Sequence, residues 1–111
     1  MKLLLSSGLE VALDEAGHLQ NPGDWNPEVA LELARRDGLE LDEDRWWLIG
    51  FVREYHAAYG NPPLMRSVVA ALRERRQDSS LTTRELYRWF PDGPVRLACK
   101  YGGLPRPDWC I

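Results

Sequence analysis

Cysteine and histidine are sparse in this sequence, two of each among 111 residues, and their spacing excludes much of what they do together. Cys99 and Cys110 stand eleven positions apart, without the close Cys-x-x-Cys spacing of a zinc site. His18 and His56 are remote from both, so neither a metal nor a cofactor is expected. No apolar run approaches the ~20 residues of a membrane helix. The opening Met1-Lys2-Leu3-Leu4-Leu5-Ser6-Ser7-Gly8 turns polar too soon for the apolar stretch of about 7–15 residues that a secretory signal needs. The expected address is therefore the cytoplasm, where thiols are kept reduced and a disulfide is more often catalytic than structural. Internal repeats, low-complexity tracts and a second domain are missing too. An excess of positive charge is also lacking: the formal net charge is −3, which argues against general nucleic-acid binding.

What is present fits one soluble domain with a modest core: 44% hydrophobic and 28% charged residues. Charge is unevenly spread. Residues 1–63 carry 5 basic and 12 acidic side chains, whereas residues 64–111 carry 9 basic and 5 acidic ones. Two differently solvated faces would account for this. So would a basic surface around the C-terminal half, suited to an anionic partner or to a thiolate or persulfide.

Leu9, Val11 and Leu13 alternate with Glu10 and Ala12 at the strand period, Leu3 to Leu5 offer a partner, and Ser7-Gly8 supplies the turn of a hairpin. Asp14 to Gly17 is a second turn, after which His18-Leu19 reads as another short extended piece. Helices follow. Asn26-Pro27-Glu28 opens one that runs to about Asp37. Asp42 caps a second, Glu43 to Tyr59, with a buried stripe of Leu48, Val52, Tyr55 and Tyr59 and with Gly60 as its stop. A third spans about Leu64 to Arg76. Thr82, with Glu85 at capping-box spacing, opens a short fourth that ends before Pro91. The last runs from about Val95 to Tyr101. The fold class expected is a mostly α bundle with an N-terminal β-hairpin, its body covering residues 1–101. Residues 102–111 form a mobile C-terminal arm.

That arm carries the reactive candidate. Cys110 has little chain beyond it to block access. Gly102-Gly103 is expected to act as a hinge, and Pro105 and Pro107 stiffen the middle, so the arm swings like a jointed rod. From Gly102 to Ile111 it spans at most about 33–36 Å. Asp108 and the terminal carboxylate oppose a thiolate at Cys110, and Arg106 favours it. Cys99, on the last helix near Arg96 and Lys100, has two readings. The cations lower its pKa or hold an anionic sulfur, and it pairs with Cys110 as a second, resolving thiol; or it is a small buried hydrophobe beside ordinary helix-end charges. His56 reads as a core or boundary histidine, and the tryptophans as core except Trp109, a candidate docking residue. The third and fourth helices have the lengths of a helix-turn-helix, with Arg84 and Arg88 on the second. Their connection is longer than usual, so a DNA-binding regulator is the lesser alternative.

The stretch Phe90-Pro91-Asp92-Gly93-Pro94, followed by Ala98-Cys99-Lys100-Tyr101-Gly102-Gly103-Leu104-Pro105-Arg106-Pro107-Asp108-Trp109-Cys110-Ile111, resembles the TusE/DsrC family of sulfur-relay proteins. The hallmark is Gly-Leu-Pro-Arg-Pro before a penultimate Cys. Asp14 to Leu19, Trp25, Arg53-Glu54-Tyr55 and Met65-Arg66 extend the likeness along the chain. The resemblance implies a hairpin on an orthogonal helical bundle and a C-terminal arm whose Cys110 accepts sulfur as a persulfide from an upstream complex of TusBCD or DsrEFH type. In the TusE branch the sulfur passes to the thiouridylase that makes 2-thiouridine in tRNA anticodons. In the DsrC branch the arm enters dissimilatory sulfite reductase, and the residue matched by Cys99 joins the penultimate Cys in a disulfide or trisulfide. The chain departs from the pattern at Asp108-Trp109, where Thr-Gly or Thr-Asn is usual, and at Gly102, where Ala is usual. The bulky tip counts against a narrow channel, whereas Cys99 favours the DsrC branch. A TusE-like role that retains the second Cys is the expectation.

Overall fold

The computed structural model describes residues 1–107. Strands β1 (Lys2–Leu4) and β2 (Glu10–Ala12) pair antiparallel with Leu3 opposite Val11. Those two side chains turn inward and their neighbours outward, as the pleat requires. Leu9, expected to share the inward face, instead sits exposed in the turn, where its carbonyl accepts from the Leu5 N–H. Asp14 then organises the second turn: its Oδ1 accepts from the N–H groups of Ala16 and His18, both at 2.9 Å. The chain returns far enough for Leu19 to bridge Leu13, and this places His18 and Leu19 in the core.

A short 3-10 turn, Pro22–Asp24, leads into five α-helices: α1 (Pro27–Arg36), α2 (Glu43–Tyr59), α3 (Met65–Arg76), α4 (Thr83–Trp89) and α5 (Pro94–Tyr101). The mostly helical fold with an N-terminal hairpin is the one the sequence led us to expect. Caps set most boundaries. The Asn26 side chain accepts from Val29 N–H and that of Asp42 from Arg45 N–H, satisfying first-turn donors that would otherwise lack partners. Thr82 caps α4 through Arg84 N–H. Glu85 does not close the expected box; it faces Arg76 and Arg88 instead. Helix α3 stops without glycine, on Gln77 in the left-handed region at φ 52°.

In α2 the core face is Leu48, Ile49 and Val52. Tyr55 is half-buried and Tyr59 is 67% exposed, contrary to the expected stripe, because the helix outruns the core. Its aromatics continue outward as a ladder, Trp47 on Phe51 on Tyr55 on Tyr59. The tryptophans likewise sit mostly at the core's edge: Trp89 is buried, whereas Trp25, Trp46 and Trp47 are half-buried.

Helix α5 is the axis of the molecule. Pro94, Val95, Leu97, Ala98, Cys99 and Tyr101 are all buried, enclosed by α1, α2 and α4. At about 1.5–3 kcal/mol for each large apolar side chain removed from water, a two-turn helix that could not hold itself together alone becomes one of the best-anchored segments of the fold. The C-terminal residues leave from its end.

Candidate functional site

Helix α5 ends in a Schellman motif. Gly103 takes the left-handed conformation (φ 72°), Gly103 N–H donates to Lys100 O, and Leu104 N–H donates to Cys99 O at 2.9 Å. Leu104 and Cys99, the positions where this motif commonly places a hydrophobic pair, are both buried. Only glycine fits at 103: a Cβ there would lie 2.5–2.7 Å from the Cδ1, Cβ and Cγ of Trp25. Gly102 and Gly103, expected as a loose hinge, are both buried. In this conformation they stop the helix and let Trp25 approach the backbone. Leu104, beyond the expected boundary at Tyr101, is buried as well.

Three side chains from three parts of the fold then bind the carbonyls of this terminus. Trp25 Nε1–H, just past the 3-10 turn, donates to Tyr101 O at 2.7 Å. Arg53 Nη1–H, from the middle of α2, donates to Gly102 O at 2.6 Å. His18 Nδ1 lies 2.9 Å from Leu104 O. A carbonyl only accepts, so Nδ1 carries the proton. The Arg53 guanidinium also stacks 3.7 Å above the Trp25 ring, a cation–π contact that fixes both donors together. His18 is 1% exposed. Burial pulls its pKa below the ordinary 6.5, helped by Lys100 and Arg106 and opposed by the Leu104 bond and Asp14, so the ring is neutral at pH 7.

Cys99 is fully buried, and that burial pushes its thiol up to about 12. The nearby cations do not lower it. Arg96 donates to Asp92 O at 2.6 Å, and Lys100 Nζ donates to Asp37 Oδ2 at 2.9 Å. Asp37 also accepts from Tyr101 OH. Burial raises the Asp37 carboxyl's pKa, but these two hydrogen bonds outweigh it and leave the group below its usual range. In this conformation Cys99 is the small buried hydrophobe of its two sequence readings, and a thiolate there requires the helix end to open.

Beyond Leu104, Pro105 and Arg106 are exposed and Pro107 is buried. Asp108, Trp109, Cys110 and Ile111 lie outside the described residues, and with them the principal candidate, Cys110. Measured from Leu104, Cys110 is six residues away, a reach of about 20–22 Å at full extension. His18, Trp25 and Arg53 carry most of the geometry at the helix end, yet as donors they were not legible in the sequence. Trp25 entered as a core tryptophan and through the resemblance, Arg53 through the resemblance alone, and His18 as a short extended piece, a histidine remote from the cysteines and part of the Asp14 to Leu19 likeness.

Part of the charge asymmetry is matched within the fold. Arg75 and Arg76 of α3 pair with Glu43 and Asp44 of α2, and Lys100 pairs with Asp37. Basic residues of the C-terminal half thus face acids of the N-terminal half. Arg88 is engaged by Glu85 within α4. His56 is half-buried in the last turn of α2, a boundary position. No helix among the described residues is long and apolar enough to cross a membrane.

Known proteins agree with this architecture. The family described as "DsrC like protein" matches residues 6–111. Sulfurtransferase TusE of Photorhabdus laumondii is 37% identical over 111 residues, covering all of both chains. That of Escherichia coli K12 is 32% identical over 109 residues, covering 98% of this chain and all of its own. Among solved structures, the oxidized gamma-subunit of dissimilatory sulfite reductase (DsrC) from Archaeoglobus fulgidus superposes with a TM-score of 0.86 at 33% identity. DsrC of Allochromatium vinosum does so with 0.85 at 38%. Each of these covers the whole of both chains. With a family match over nearly its full length and relatives above 30% identity end to end, the chain belongs to the DsrC-like family of TusE and DsrC sulfurtransferases.

Proposed function

We propose that this protein is a sulfur carrier that accepts a sulfane sulfur on Cys110 and relays it to an acceptor enzyme in the 2-thiolation of tRNA wobble uridine. The observation that carries this reading is the contrast between its two thiols. Cys99 is buried on α5, and that burial pushes its thiol up to about 12, whereas Pro105 and Arg106, on the way to Cys110, are exposed. Membership of the sulfurtransferase family supplies the cargo, and the full-length likeness to TusE proteins supports the tRNA branch.

The chemistry is exchange without net oxidation. The Cys110 thiolate attacks the terminal sulfur of a donor persulfide; the donor's S–S bond breaks, its thiolate leaves, and Cys110 becomes a persulfide. Delivery repeats the step in the other direction: an acceptor thiolate takes the outer sulfur and the Cys110 thiolate departs. The donor would be a TusBCD- or DsrEFH-like complex and the acceptor a tRNA thiouridylase, all in the cytoplasm.

A second reading is supported by the solved DsrC structures and the presence of Cys99: a substrate partner of dissimilatory sulfite reductase that uses a Cys99–Cys110 pair. It requires Cys99, 0% exposed here, to be uncovered. Intact mass after incubation with a persulfide donor tests the first reading. A gain of about 32 Da, one sulfur atom, that disappears in Cys110→Ser is expected. No adduct, or one that survives that substitution, overturns it. The second reading stands or falls on Cys99→Ser, which should keep loading intact and abolish function. A Cys99→Ser protein fully active in cells removes it.

A further inference from the structure

We infer that His18, Trp25 and Arg53 are positioning residues for the sulfur-carrying segment, aiming it by holding the carbonyls of Tyr101, Gly102 and Leu104. The inference rests on the carrier reading of Cys110. A helix terminus ordinarily leaves its last carbonyls to water or to the helix's own turn. Here the Schellman bonds already close the turn, so the three side-chain donors are additional. They come from the loop after β2, from the residue after the 3-10 turn and from mid-α2, and they converge on three carbonyls within four residues.

Three anchors from three directions determine not only that the helix stops but where the next residue points. Trp25 fills the space against Gly103 that a Cβ would need, and the Arg53 guanidinium lies flat on its ring, so two donors move as one block. Delivery of sulfur to a fixed acceptor gains from such orientation, because a tethered group aimed at its target loses little freedom on meeting it. Loading from a small donor in solution needs no aim. Positioning and loading are therefore separable.

The test places one spin label on the exposed segment through Arg106→Cys and a second on α4 through Arg84→Cys, in a Cys110→Ser background, and measures their separation by pulsed electron resonance. The anchored protein should give one narrow distance. Trp25→Phe and Arg53→Met, which keep ring and stem but remove the donors, should lose it. His18→Phe should do the same, while His18→Asn, whose amide nitrogen occupies the Nδ1 position, should retain it. Melting temperature monitors the fold, so that a variant that unfolds is replaced by the milder single donor deletions. A distance unchanged by the substitutions, or a His18→Asn protein as loose as His18→Phe, overturns the inference. Loading of Cys110 by inorganic polysulfide, read by intact mass on proteins that retain that residue, should be equal in wild type, Trp25→Phe and Arg53→Met. Failure of wild type to load refutes the carrier role, and the distance measurement decides the anchors independently.

Discussion

Burial sets the chemistry of Cys99. With its thiol raised to about 12, Cys99 at pH 8 is ionised in only about 10⁻⁴ of molecules, and attack on an alkylating agent requires the thiolate. Brief treatment of the native protein with iodoacetamide should therefore leave Cys99 unmodified, and denaturation should expose it; peptide mass mapping reads both. A Cys99 modified as fast in the native as in the denatured protein would contradict the sealed helix end. His18 makes the complementary prediction. Its folded-state pKa lies below the unfolded value, so the folded protein binds fewer protons in that interval. The His18 contribution to stability is complete above about pH 6.5 and is lost as the pH falls from there through the lowered value. Burial is the leading cause; the Leu104 bond and Asp14 oppose it, and Lys100 and Arg106 add to it. Urea unfolding at neutral pH and in mild acid should show this loss in wild type. In His18→Asn, which cannot charge, that part of the pH dependence should vanish.

Among the elements, glycine spacing and caps decide where helices end, but not what surrounds the end. Gly38 and Gly103 both have positive φ, 77° and 72°, yet a Cβ meets nothing within 4 Å at Gly38 and meets Trp25 at 2.5 Å at Gly103. Gly38→Ala should cost about 1–2 kcal/mol, the left-handed penalty alone. Gly103→Ala adds a rigid overlap and should cost about 2–5 kcal/mol in all, the overpacking adding to the backbone penalty. Chemical denaturation of both variants checks the difference, and equal losses would mean that Trp25 does not hold its place. The same contrast shows why some of the molecule was legible in sequence and some was not. Asn26-Pro27, Asp42, Gly60 and Thr82 are local signals with local partners, and each helix they delimit lies where they place it. Tyr55 and Tyr59 continue the helical period faithfully, but a period cannot tell how far the core extends. Gly102-Gly103 looks like a hinge because the residue that packs on it, Trp25, is distant in sequence. Arg53 and His18 are likewise brought to the helix end only by tertiary structure, and an isolated histidine after a turn carries no sign of the carbonyl it will meet. For Cys99, only its burial distinguishes hydrophobe from nucleophile.

At the scale of the whole molecule, the end of α5 is where the packed helices meet the C-terminal residues. Helix α5 is held in the core, its end is closed by the Schellman turn, and three side-chain donors bind the last carbonyls. On the carrier reading, a chain anchored at the Leu104 carbonyl has six residues to Cys110, against the eight after Gly102 that a hinge at the glycine pair would give. In a carrier, that length must match the depth of the donor and acceptor sites, whereas reaction with a small sulfur donor is indifferent to it. Deleting Pro105 and Arg106 together shortens the segment by about 7 Å and touches none of the side chains that bind the α5 terminus. The shortened protein should melt within a few degrees of wild type and still gain one sulfur from inorganic polysulfide. In cells that depend on it for tRNA thiolation, 2-thiouridine should fall to the level seen with Cys110→Ser. Restoring the length with Pro-Lys in place of the deleted pair should recover most of it, since a stiff residue and a cation are both returned. Full 2-thiouridine with the shortened chain would show that sulfur delivery does not depend on reach from the body.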